Sequence, residues 1–102
     1  MDRQDVDDAE LLDAVAGGDR ASFEQLYRRY APWLRLKLRY RCADGSLVDD
    51  IVQEVFVAIW RGKARYRRQD GAEVAGWMWR LASRRLIDAL RGDSARSRLR
   101  SV

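Results

Sequence analysis

The stretch LVDDIVQEVFVAIW, residues 47–60, has the spacing of an amphipathic helix. At about 100° per residue, Val48, Ile51, Val52, Val55 and Ile59 share one side, the stripe a helix buries against its neighbours. The opposite side carries Asp49, Asp50, Gln53, Glu54, Val57, Trp60 and Arg61. A purely solvated side has no need of Val57 and Trp60. Two readings of Trp60 stand on geometry alone: it covers an edge of the core, or it anchors a partner. The second fits how protein interfaces are built, with an aromatic anchor ringed by polar groups. The acids around it favour a basic partner through steering and register.

Outward from this stretch, the same helical period continues. A single proline and little Val/Thr alternation predict an all-α fold, a compact bundle of four helices. The first helix runs from about Ala9 to Ala16, with Asp7 or Asp8 as cap and Gly17-Gly18 as stop. The second runs from about Ala21 to Arg41 behind Asp19; Phe23, Leu26, Tyr27, Tyr30, Leu34 and Leu38 keep its spacing, and Pro32 predicts a kink near Tyr30. After the loop CADGS, the third runs from about Leu47 to Arg61. A long basic loop, GKARYRRQDGAE, leads to the fourth, from about Glu73 to Arg91, which Gly92 is expected to end. The tail DSARSRLRSV is polar and reads as loose.

Length and composition set the class. The chain has 102 residues, 47% hydrophobic and 35% charged, which suits one soluble domain with a modest core. No apolar run approaches the ~20 residues of a membrane span. The acidic start MDRQDVDDAE is no signal or transit peptide, so the expected address is the cytoplasm, with no membrane contact. A lone Cys42 agrees with a reducing compartment and reads as a plain structural cysteine. Histidine is absent, which removes the commonest general base and metal ligand. No GxGxxG, P-loop or GxSxG string is present. We therefore expect no metal, no cofactor and no enzyme.

Charge is unevenly spread. Residues 1–16 hold one base and six acids, 17–60 seven bases and six acids, and 61–102 twelve bases and four acids. A basic C-terminal half has two readings, a solvated surface or a polyanion site. The fourth helix turns Ala75, Met78, Trp79, Ala82, Leu86, Ala89 and Leu90 one way. It turns Trp77, Arg80, Arg84, Ile87, Asp88 and Arg91 the other. Arginine for phosphates and aromatic faces for bases suit nucleic acid, although Asp88 can pair with Arg84 at i, i+4. The preceding loop interleaves Arg61, Lys63, Arg65, Tyr66, Arg67 and Arg68, as a single-strand surface requires.

Three ordered strings give a family resemblance: G-D-x-x-x-F-x-x-L-Y at Gly18–Tyr27, D-x-V-Q-E-x-F-x-x-x-W at Asp50–Trp60, and W-x-W-R-x-A…I-D-x-L-R at Trp77–Arg91. From Ala9 to Arg91 the chain resembles region 2 of a bacterial extracytoplasmic-function sigma factor. The resemblance implies the region 2 helical domain over 9–92, a flexible acidic segment over 1–8, and the start of a disordered interdomain linker over 93–102. The family's second promoter-binding domain, region 4, is expected to be absent.

The resemblance also implies roles. Asp49, Asp50, Gln53, Glu54, Val57 and Trp60 would meet the clamp helices of the RNA polymerase β′ subunit. Lys63, Arg65, Tyr66, Arg67, Arg68 and Gln69 would line the path and pocket of the non-template single strand at the minus-ten promoter element. Trp77, Arg80, Arg84 and Arg91 would meet backbone and bases where the duplex melts. The chain has Arg84 where many members have Asn, a charged fork in place of an amide. An anti-sigma factor is a further implied partner. Two alternatives remain beside initiation: a protein-interaction bundle held by such a factor, and a stand-alone duplex-DNA binder, for which no helix-turn-helix pair is found.

Overall fold

The computed structural model describes residues 7–67 and 73–100, with 93–100 described by backbone alone. Four helices follow one another: α1 (Asp8–Ala16), α2 (Arg20–Arg39), α3 (Gly45–Trp60) and α4 (Val74–Arg100). No strand occurs among the described residues. None of their helices is long and apolar enough to cross a membrane.

Capping explains the boundaries. The Asp7 carboxylate accepts from the Ala9 N–H, and the Asp19 carboxylate accepts from the Ala21 N–H. Asp44 accepts from the Ser46 and Leu47 N–H groups, so α3 starts at Gly45, two residues before its apolar pattern does. Gly18 and Gly62 adopt φ of 90° and 73°, the left-handed conformation that glycine enters without penalty. At each, the chain closes a Schellman motif: Asp19 N–H bonds Ala14 C=O at 3.0 Å, and Lys63 N–H bonds Ala58 C=O at 2.9 Å. The first motif reverses α1 directly into α2, since Asp19 is also the cap of α2.

The core is shared by all four helices. Leu11, Leu12 and Val15 of α1, Leu26, Ala31, Leu34 and Leu38 of α2, the α3 stripe, and Val74, Met78, Ala82 and Leu86 of α4 are buried. The five residues of the α3 stripe are buried as their spacing predicts, and Phe56 and Ala58 join them. Phe56 meets Tyr27 at 4.9 Å and Phe23 at 6.2 Å, both edge-on, and these contacts join α3 to α2. The Asp8 carboxylate fixes the start of α1 to α2 by accepting from the Arg29 guanidinium and the Tyr30 hydroxyl. Burial, followed by that hydrogen bond and the nearby Asp8 charge, pushes the Tyr30 phenol pKa up.

The fourth helix departs from expectation in two places. Gly92 does not end it, and the helix runs on to Arg100. One interior glycine costs only ~1 kcal/mol relative to alanine, and the flanking Ala, Arg and Leu residues favour the helix. Leu90, expected in the core, is 44% exposed because α4 passes the neighbours that could cover it.

Candidate functional site

The outer side of α3 divides into two lines. Asp50, Glu54, Val57 and Arg61 point away from the bundle. Asp49, Gln53 and Trp60 form the next line, toward α2 and in register with the buried Phe56, because helical positions three, four and eleven apart nearly superpose. The first line opens on a groove of ≈ 430 Å³, lined by Asp50, Gln53, Glu54, Val57, Ala58 and Arg61 together with Lys63 and with Arg85 of α4.

The acids of this face differ in their internal partners. Asp49 takes an ion pair from Arg35 of α2 at 3.1 Å. Arg35 also donates to the Tyr27 hydroxyl at 3.0 Å, the bond that most raises its pKa. Glu54 lies 3.9 Å from the Arg85 guanidinium of α4. Asp50 is exposed and makes no ion pair among the described residues.

Trp60 does not line this groove. Its ring lies tilted against Phe23 of α2 at 5.1 Å, yet 42% of the residue stays exposed. It also borders a second cleft of ≈ 310 Å³, with Leu12, Asp13 and Ala16 of α1 and Arg65 and Tyr66 of the following loop. The edge-covering reading holds for the portion of the indole that meets Phe23, and the other portion is open. The spacing placed Trp60 off the core stripe but gave no sign of Phe23, which reaches it from another helix.

The loop and α4 form the basic side. The Schellman turn at Gly62 sends the chain away from α3, and Lys63, Arg65 and Arg67 are exposed beyond it. Tyr66 turns back, with its ring edge-on to Trp77 at 5.5 Å, and both rings pack partly against the core. Trp77 therefore closes the loop onto α4 and offers only part of its surface. Arg80, Arg84 and Arg91 are exposed, and none makes an ion pair among the described residues, so Asp88 does not neutralise Arg84. Arg68 and Gln69 lie outside the described residues. The residue that sequence reading misses is Arg85: it lines the α3 groove and pairs with Glu54, but an ion pair between helices leaves no trace in local spacing.

The chain is similar in sequence to known transcription proteins. The family described as Sigma-70 region 2 matches residues 26–96. The ECF RNA polymerase sigma factor SigM of Mycobacterium tuberculosis (strain ATCC 25618 / H37Rv) is 34% identical over 93 residues, which cover 91% of this chain and 46% of that protein. RNA polymerase sigma factor CarQ of Myxococcus xanthus is 31% identical over 80 residues, 78% of this chain and 45% of that one. The ECF RNA polymerase sigma factor RpoE of Cereibacter sphaeroides is 32% identical over 75 residues, 74% of this chain and 41% of that one. The chain thus spans less than half the length of these relatives. No solved structure matches it.

Proposed function

The chain belongs to the sigma-70 region 2 family, and on that footing we propose that its two faces divide the work of transcription initiation in the bacterial cytoplasm. The α3 face, with Asp49, Asp50, Gln53, Glu54, Val57 and Trp60, docks on the clamp helices of the polymerase β′ subunit. The loop and α4, with Lys63, Arg65, Tyr66, Arg67, Arg68, Gln69, Trp77, Arg80, Arg84 and Arg91, capture the non-template strand of the minus-ten element and so melt it. No covalent step is involved. Lost base pairs are offset by phosphate contacts and by stacking on aromatic rings, which contributes ~1–3 kcal/mol per base.

One observation supports this division above the others: the unpaired charges lean to opposite signs on the two helices. Asp50 stands without an internal cation on α3, whereas on α4 Arg80, Arg84 and Arg91 stand without internal acids against one unpaired acid, Asp88. A bias of this kind steers two oppositely charged partners to two faces.

The test is a titration of a β′ clamp-helix fragment with wild type, Asp50→Ala and Trp60→Ala, after circular dichroism has established that the variants fold. A loss of ~1.4 kcal/mol, tenfold in affinity, is expected for each. In parallel, Arg80→Gln and Arg84→Gln should weaken binding of a non-template minus-ten oligonucleotide. Absence of wild-type binding to the fragment would remove the docking half of the proposal. Absence of oligonucleotide binding at low salt would remove the strand-capture half.

A further inference from the structure

One surface is used by neither face. Trp79, placed by its spacing on the core side of α4, is only half-buried, and two cations lie over it, Lys37 of α2 and Arg41 of the turn after that helix. The Lys37 ammonium stands 4.7 Å from the Trp79 ring and 5.1 Å from the Trp33 ring, between two indoles. The Arg41 guanidinium stands 4.9 Å from Trp79. Neither cation makes an ion pair among the described residues, whereas Arg29 and Arg35 of α2 both have carboxylate partners. Beside them Leu36 and Tyr40 are 60% and 81% exposed.

The geometry points to a second phosphate-binding surface: Lys37 and Arg41, held on Trp79, take the backbone of duplex DNA next to the strand that α4 captures. This rests on the strand-capture reading of α4 and extends it. On the α4 wheel, Arg80 and Arg84 lie about 100° and 140° round from Trp79, with Leu90, Ser83, Gly76 and Ile87 in the strip between. Lys37 of α2 and Arg41 of the turn after it therefore flank the α4 arginine stripe across that strip. The indoles hold the Lys37 and Arg41 side chains in place, so less side-chain freedom is lost when a phosphate arrives. A single strand following α4 has no need of a second helix. A duplex, with two backbones, is wide enough to touch both.

The experiment compares two probes at several salt concentrations. One is the minus-ten non-template oligonucleotide. The other is a fork that carries the same single strand beside an upstream duplex. The proteins are the full chain, the double variant Lys37→Gln/Arg41→Gln, and Arg39→Gln, which removes one charge from the far flank of α2. The double variant should keep its affinity for the oligonucleotide but lose at least roughly threefold on the fork. Its salt slope on the fork should fall by about 1.8, at ~0.9 for each of two phosphate contacts. Arg39→Gln should change neither. Unaltered fork binding by the double variant overturns the inference, as does equal loss on both probes or an equal effect of Arg39→Gln. Tighter binding to a polyglutamate peptide than to DNA of equal charge also overturns it, in favour of an acidic protein partner. If the double variant melts below the assay temperature, Arg41→Gln decides alone, because Arg41 is an exposed residue. Wild type that binds the oligonucleotide no worse than the fork sinks this inference and leaves strand capture intact; wild type that binds neither sinks both.

Discussion

Replacing Trp60 by alanine separates its packing role from the docking role we propose for it. The residue is 42% exposed and meets Phe23 at 5.1 Å, so somewhat more than half of its surface leaves water on folding. A fully buried Trp→Ala change costs about 3–5 kcal/mol. Scaled to this burial, the expected loss of stability is about 2–3 kcal/mol, of which the ring pair itself supplies about 0.5–1.5 kcal/mol. Urea unfolding of wild type, Trp60→Ala, Phe23→Ala and the double variant measures both quantities, the second as the coupling energy of the cycle. A loss below about 0.5 kcal/mol, or a coupling near zero, would refute the packing assignment. The docking role has a separate readout, the affinity of the folded variant for the β′ clamp-helix fragment. Trp60→Phe sharpens the distinction: it keeps an aromatic contact with Phe23 and shortens the exposed portion. Stability near wild type with weakened binding is the expected result. Weakened stability with unaltered binding would reduce Trp60 to a cover for the aromatic contact.

Three further outcomes follow from the backbone and the buried phenol. Gly76 lies inside α4 with open space where a Cβ would be, so Gly76→Ala should raise stability by about 0.5–1 kcal/mol in urea unfolding. Gly62→Ala should lower it by about 1–2 kcal/mol, because φ of 73° is strained for alanine, and should weaken oligonucleotide binding by disturbing the start of the basic loop. The Tyr30 pKa is raised in the fold above its ordinary 10.0, so its stabilising contribution is complete below pH 10.0 and is lost as pH rises toward the folded value. The stability difference between wild type and Tyr30→Phe should accordingly hold below about pH 10 and shrink as pH rises above it, read by thermal melts at each pH.

The sequence yielded what depends on local spacing. Val48, Ile51, Val52, Val55 and Ile59 are the buried stripe of α3 because a 3.6-residue period determines which side chains share a side. Asp19 is legible as a cap, and the first cap is legible as Asp7 or Asp8, because capping acts over two or three residues. Asp44 is not legible inside CADGS, since a cap ahead of a glycine and a serine has no apolar pattern to announce it. What spacing cannot carry is the identity of the neighbour. Phe23 against Trp60, Arg85 against Glu54 and Lys37 over Trp79 all join different helices. For that reason Trp79 was assigned to the core and Trp77 to an open stripe, whereas both are half-buried, Trp77 beneath the loop and Trp79 beneath Lys37 and Arg41.

The internal ion pairs of the α3 face bear on how a partner would engage it. Arg35 on Asp49 and Arg85 on Glu54 are partly exposed pairs at 3.1 and 3.9 Å. Pairs of this kind contribute at most about 1 kcal/mol each. They are nonetheless enough to hold the carboxylates in place and to mask part of their charge before a partner arrives. A basic group from the partner can replace either arginine at little net cost, because one charge-assisted contact is exchanged for another. Asp50, which has no such pair, meets the incoming cation at full charge. Asp50 should therefore weigh more in encounter, and Glu54 more in the final fit. Arg85 gives the exchange a further consequence, since it sits on α4, the helix that carries the exposed Arg80, Arg84 and Arg91. A partner that takes Glu54 from Arg85 releases a guanidinium on α4, so docking on one face adds free positive charge to the helix that faces the other.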